Sequence, residues 1–244
     1  MTRSIVFLVV FSVLLAPLAG ALAFETDRIP TPKGDLGVTF IGHGSLAFAW
    51  GGMNIQVDPY GKVADYGAFP KADLILLTHH HGDHLDPEAL GKVRGEKTVV
   101  VATELCAPKV PGAVVMKNGD LREVSGVGIE AVPAYNVKHL RPTGEPYHVK
   151  GQGNGYVLTF GGVRVYVAGD TEDIPEMRAL KDIDVAFLPM NLPFTMTPEM
   201  VAEAARAFRP KILYPYHTGE TDVSKLVALL KDDTGIEVRV RSMK

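Results

Sequence analysis

The chain predicts an α/β fold in which strands come first and mixed strand–helix units follow, a pattern that runs twice. Three observations carry this. Short apolar runs between glycine turns read as antiparallel hairpins. Continuous apolar runs such as Leu74–Leu77 and Asp184–Leu188 read as strands buried on both faces. Asp86-Pro87 and Thr197-Pro198, each beyond such a run, pair a good helix cap with a good first helical residue.

In chain order, residues 1–23 carry one charge, Arg3, then an apolar core from Ile5 to Leu15, a break at Pro17 and a final Ala21-Leu22-Ala23. A core that short, closed by small residues, predicts a secretory signal cleaved before Phe24, so the expected location is periplasmic or secreted and residues 24–244 form one domain. An uncleaved single-span anchor is the competing reading. With 25 basic and 28 acidic side chains the net charge is −3, which gives no support to a nucleic-acid-binding surface. Cys106 is the only cysteine, so no internal disulfide and no thiolate-rich zinc site can form.

Leu36–Ile41, Leu46–Trp50 and Met53–Val57 are predicted strands, and the third ends in Asp58-Pro59. Asp86–Lys92 is a short helix and Thr98–Ala102 a buried strand. Val114–Met116, Leu121–Val124 and Val127–Ala134 follow as strands, with Asn118-Gly119-Asp120 as a turn. Tyr135 to Gly155 has no periodicity and is long for a loop in a compact domain, which marks it as functional or mobile. Tyr156–Phe160 and Val163–Val167 form a hairpin about Gly161-Gly162. In the next helix Val201, Ala204, Ala205 and Phe208 make an apolar stripe at helical spacing, which is core packing. Lys211–Tyr214, a helix from Asp222 to Leu230 and a strand from Ile236 to Val240 close the chain.

Chemistry concentrates where the Leu74–Leu77 strand meets its helix, in His79-His80-His81-Gly82-Asp83-His84. His79 and His81 alternate along an extended segment and can point the same way. His84 can return to that face with Asp83 beside it. Nitrogen and oxygen donors converging so suit one or two borderline ions such as zinc.

His79-x-His81-x-Asp83-His84 after an apolar strand resembles the signature of the metallo-β-lactamase fold superfamily. The resemblance implies a four-layered αββα sandwich of two mixed sheets. It also implies two ions, zinc first with manganese or iron(II) as alternatives. On that pattern His79, His81 and a further histidine hold one ion, Asp83, His84 and His217 hold the other, and Asp170 of Gly169-Asp170-Thr171 bridges them. Asp58 matches an aspartate that supports a ligand histidine, although a simple Asp-Pro turn reads nearly as well. His43, in a glycine-flanked loop, is a candidate substrate-side residue.

Where the superfamily places its third histidine this chain has Asn136. His148 and His139 are the available replacements. His148 is preferred because it precedes Gly151-Gln152-Gly153-Asn154-Gly155 and the next strand, similar to a subgroup with a late histidine. The implied activity is a metal-dependent hydrolase of the small lactonase-like or general kind. It would use a metal-bound hydroxide, with Asp83 steering its proton, on an ester, lactone or phosphodiester of a small molecule, with no stable membrane association once the signal is removed. The alternative, motivated by Asn136, is an exported metal-binding protein with a degenerate site and no turnover. Oligomeric state is not readable.

Overall fold

The computed structural model describes residues 24–243, so the leader read in residues 1–23 lies outside the described residues. One sheet runs in chain order through β1 (Glu25–Ile29), β2 (Leu36–Gly42), β3 (Ser45–Trp50), β4 (Met53–Val57), β5 (Ala72–Leu76), β6 (Arg94–Ala102) and β7 (Val114–Val115). Its first four strands are antiparallel, and β4 through β7 are parallel.

The second sheet repeats that plan. β8 (Leu121–Val124), β9 (Val127–Ala134), β10 (Gly153–Phe160) and β11 (Val163–Val167) are antiparallel. β12 (Val185–Pro189), β13 (Ile212–Tyr216) and β14 (Glu237–Val238) then continue in parallel.

Strand alternation sorts the core into layers. Leu74 and Leu76 of β5, Tyr156, Leu158 and Phe160 of β10, and Val185 and Phe187 of β12 meet between the sheets. Their neighbours Ile75, Val157, Ala186 and Leu188 face the opposite way, under helices. Ile75 packs with Ala89, Leu90 and Val93 of α1 (Pro87–Val93). Ala186 and Leu188 share a cluster with Met177 of α2 (Pro175–Arg178), with Val201, Ala204, Ala205 and Phe208 of α3 (Pro198–Phe208), and with Leu226 and Leu230 of α4 (Ser224–Leu230). This is the αββα sandwich. Strands apolar on both faces are required because both faces of each sheet are covered. Each fully buried large side chain contributes about 1.5–3 kcal/mol.

The predicted caps form. Asp86 Oδ1 accepts from the Glu88 and Ala89 amides, and Thr197 Oγ1 accepts from Met200 N. Several elements differ from expectation. β1, Glu-Thr-Asp-Arg-Ile, is a polar edge strand paired only with β2, so it lacks the apolar run that announces a strand. β6 begins at Arg94, directly after α1, rather than at Thr98. β10 begins at Gly153, inside the glycine cluster, which shortens the long loop. The last strand is two residues long, and α2 was unpredicted because one turn shows no periodicity. No helix among the described residues is long and apolar enough to cross a membrane.

Candidate metal centre

The site lies where strand ends of both sheets meet. The turn after β5 carries His79 to His84, β11 leads into Asp170, β13 into His217, and the loop between β9 and β10 brings in His148. Cross-sheet bonds join these ends: Asn154 N donates to Thr78 O at 2.9 Å and Tyr156 Oη to Leu77 O at 2.8 Å. Two glycines permit the closeness. A Cβ on Gly169, at φ +65°, would lie 2.9 Å from Asn154 O, and one on Gly44 would lie 2.8 Å from His84 Cε1.

Two donor sets lie side by side, one of His79, His81 and His148 and the other of His43, Asp83, His84 and His217, and a third group, His79, His84 and Asp170, spans them. Asp170 stands between them. Its Oδ2 lies 3.3 Å from His148 Nε2 and 3.9 Å from His79 Nε2, while its Oδ1 lies 3.5 Å from His84 Nε2 and 3.6 Å from His217 Nε2. Asp83 Oδ2 is 3.8 Å from His84 Nε2 and 3.9 Å from His217 Nε2. His79 Nε2 and His81 Nδ1 are 3.1 Å apart.

Asp58 sets the imidazole tautomers from beneath. Its Oδ2 accepts from His84 Nδ1 at 2.8 Å and from Thr78 Oγ1 at 2.6 Å, and its Oδ1 accepts from Thr78 N. With its own proton given to Asp58, Thr78 Oγ1 accepts from His79 Nδ1 at 3.0 Å. Both histidines therefore spend Nδ1 on this network and turn Nε2 toward the centre; on His79 that nitrogen is unprotonated, the form a metal requires, and on His84 a metal would take the place of the Nε2 proton. The Asp-Pro turn reading gives way to this one. Asp58, His43 and His217 all hold positive φ, between 44° and 52°, a strained backbone of the kind that clusters at functional sites.

His148 is held the same way. Its Nδ1 and its backbone N both donate to Asn136 Oδ1, at 2.7 and 3.0 Å. Asn136 Nδ2 donates in turn to Glu172 Oε1 and to Phe194 O. Glu172, fully buried, also accepts from the amides of Val137, Lys138 and His139 and from His139 Nδ1 at 2.5 Å. His139 is thus engaged by Glu172, and His148 is the loop histidine that reaches the cluster. His43 Nε2 donates to Asp83 Oδ2 at 2.9 Å, and His43 also lines the cavity above the cluster.

Burial, then neighbouring imidazoles, push His79 well below its ordinary value, and the same causes bring His81 down to about 4. Both are neutral nitrogen donors at neutral pH. Burial opposes charge on His84, yet Asp170 and Asp58 outweigh it and raise that imidazole to about 9. Burial likewise opposes ionisation of Asp83 and Asp170, and the histidines around each override it and hold both well below the carboxylate range. Asp170 is thus a buried carboxylate ringed by imidazoles, with Asp83 half-buried beside them. His84 Nε2, His217 Nε2 and Asp170 Oδ1 are buried without hydrogen-bond partners, and they belong to this one cluster. Orphaned buried donors and acceptors need a partner, and a nitrogen-oxygen set of this kind fits divalent zinc-like ions.

Sequence reasoning missed Thr78 and Glu172. Thr78 directly precedes the motif and Glu172 directly follows Asp170-Thr171, and an acid in such a position was the one available signal. It also missed Arg141, Tyr147 and Phe194, which line the cavity above the cluster and carry no motif.

Residues 37–217 match the family described as the beta-lactamase superfamily domain. A UPF0173 metal-dependent hydrolase of Thermococcus onnurineus is 36% identical over 193 residues, covering 74% of this chain and 83% of that protein. The crystal structure of a candidate metal-dependent hydrolase from Parabacteroides distasonis is 52% identical and superposes with a TM-score of 0.87, over 91% of this chain and all of that one. A metallo hydrolase from Ignicoccus hospitalis shares the fold at 22% identity and a TM-score of 0.70, over 85% of this chain and 95% of its own.

Proposed function

The chain belongs to the metallo-β-lactamase superfamily as one of its metal-dependent hydrolases, and we propose that it works with two ions, zinc by preference, on an ester, lactone or phosphodiester bond of a small molecule. His79, His81 and His148 would hold one ion and Asp83, His84 and His217 the other, with Asp170 shared. The observation that carries this is the placement of Asp170, one oxygen toward each donor set. When bound, such ions act as Lewis acids that acidify water and polarise a carbonyl or phosphoryl oxygen. Manganese or iron(II) suit the same donors less well, since imidazole-rich sites favour zinc.

The chain's own residues do the rest. Asp58 and Asn136 fix the tautomers of His79, His84 and His148, so these nitrogens need no reorganisation. Hydrolysis joins a water oxygen to the acyl carbon or phosphorus, breaks the ester bond and returns a proton to the leaving oxygen. Asp83, half-buried at the cavity and hydrogen-bonded by His43, would steer the attacking water by accepting a hydrogen bond from its proton. The degenerate-site alternative drew on Asn136, and the bond from Asn136 to His148 gives that residue a constructive task. The acidic charge balance favours a small-molecule substrate over a nucleic acid, and the leader read from the sequence of residues 1–23 would direct export.

Zinc titration into metal-free protein, followed by a panel of ester, lactone and phosphodiester substrates, tests the reading. Wild type should bind two ions and hydrolyse one class, and Asp170→Ala should do neither. Two bound ions with no turnover of any class would leave a binding protein instead.

A further inference from the structure

The cavity above the cluster carries a feature that metal holding does not use. We propose that Arg141 forms an oxyanion subsite, so that the substrate is an anionic ester whose carboxylate or phosphoryl oxygens lie on the guanidinium while its apolar part rests on Tyr147 and Phe194. This deepens the hydrolase reading of the same site and rests on it.

Arg141 is built into place. Its amide donates to Glu145 O at 2.7 Å and Gly144 N donates back to Arg141 O at 2.8 Å, which closes a tight turn at the cavity mouth. The guanidinium lies over the Tyr147 ring, 4.9 Å from its centroid, and donates to Tyr147 O at 3.3 Å. Tyr147 packs edge-on against Phe194 at 5.1 Å, and Asn136 Nδ2 donates to Phe194 O, so the wall is tied to the residue that orients His148.

Among the described residues, Arg141 has no carboxylate within ion-pair distance, although other surface arginines such as Arg178, Arg206 and Arg241 do. It lines the 390 Å³ chamber that also holds Asp83, Asp170 and His217, and it is the one lysine or arginine doing so. Glu145, the nearest acid in sequence, shares with Arg141 the lining of the narrower 150 Å³ chamber beside it but makes no ion pair with the guanidinium and does not line the larger one. A planar guanidinium that stays charged at every working pH, with most of its five donors free, recognises two oxygens of a carboxylate or phosphoryl group at once.

The rim points the same way. Val149 and Phe194, 40% and 41% exposed, line the two chambers, and Leu140 and Leu192, 49% and 44% exposed, lie on the same two loops. Large apolar side chains left in water around a cavity mark a binding surface, here suited to the apolar part of a substrate. An anion beside Arg141 also offsets the positive charge that two ions would bring to the floor.

Calorimetric titration of the zinc-loaded protein with phenylphosphonate, benzoate and neutral benzamide tests the subsite in wild type, Arg141→Gln and Arg141→Lys. The expected result is at least a tenfold rise in Kd for one or both anions in Arg141→Gln, smaller in Arg141→Lys, with benzamide unchanged within twofold. A rise for phenylphosphonate alone assigns a phosphoryl substrate, and for benzoate alone a carboxylate-bearing ester. Equal Kd values in wild type and Arg141→Gln, or an equal loss for benzamide, would overturn the subsite. Failure of every ester in the turnover panel, with anion binding still dependent on Arg141, would sink hydrolysis and leave the subsite standing.

Discussion

Asn136 Oδ1 accepts two hydrogen bonds from His148, one from the ring Nδ1 at 2.7 Å and one from the backbone N at 3.0 Å. Asparagine is a poor metal ligand, but here its carboxamide turns the histidine twelve positions later toward Asp170.

Removing that support should be measurable. Asn136→Ala leaves His148 without its acceptor, and metal affinity should fall roughly 10–100-fold, the usual effect of losing a group that orients a ligand. On the two-ion proposal, the loss should fall on one binding step. Chelator competition, resolving two binding steps, checks this.

Asp58 makes a broader demand, because it orients His84 directly and His79 through Thr78. Asp58→Ala should weaken both ions. It also leaves the buried Thr78 amide unpaired, at a cost of about 1–3 kcal/mol. Weakening of one step only, with unchanged urea stability, would contradict the shared role.

Glu172 gathers three consecutive amides, the His139 ring and the Asn136 carboxamide. Glu172→Ala should free residues 136–139 while the strands persist. Limited proteolysis should then cut faster within that loop, with little change in the far-ultraviolet circular dichroism.

Acid stability should depend on Asp27. Burial opposes its ionisation, but Tyr214 and Arg241, with Arg239, outweigh that and hold it below the ordinary 3.8. A carboxyl lowered by folding contributes stability that is complete above 3.8 and is lost as pH falls through the folded value. Asp27→Asn should therefore lower the urea midpoint at pH 7, and the gap to wild type should narrow as the pH falls below 3.8. Parallel midpoints across that range would refute the linkage.

Phe187, fully buried between the sheets, stacks on Tyr214 at 5.0 Å. Phe187→Ala should cost about 3–5 kcal/mol, read as a lower thermal midpoint in metal-free and metal-loaded protein alike.

Much of the arrangement was legible because it rests on local chemistry. The apolar runs of β5 and β12 announce strands buried on both faces, Gly161-Gly162 announces the hairpin of β10 and β11, Asp86-Pro87 and Thr197-Pro198 announce helices, and the spacing of His79, His81, Asp83 and His84 announces candidate ligands on one turn. Elements without a local signature stayed hidden. The polar strand β1 is held by pairing with β2 and by the bond network from Asp27 to Arg241, 214 residues away, and no window along the chain contains both partners.

The chain by itself determined the α/β class, the donor types and their order from His79 to His217. Tertiary structure decided how they divide: which oxygen of Asp170 faces which histidine, that Asp58 serves two of them, that Glu172 holds His139 while Asn136 turns His148 inward, and that Arg141 stands free at the mouth. The reason is geometric. Donor identity belongs to single residues, whereas convergence depends on two sheets packed face to face, whose strand ends meet only after folding.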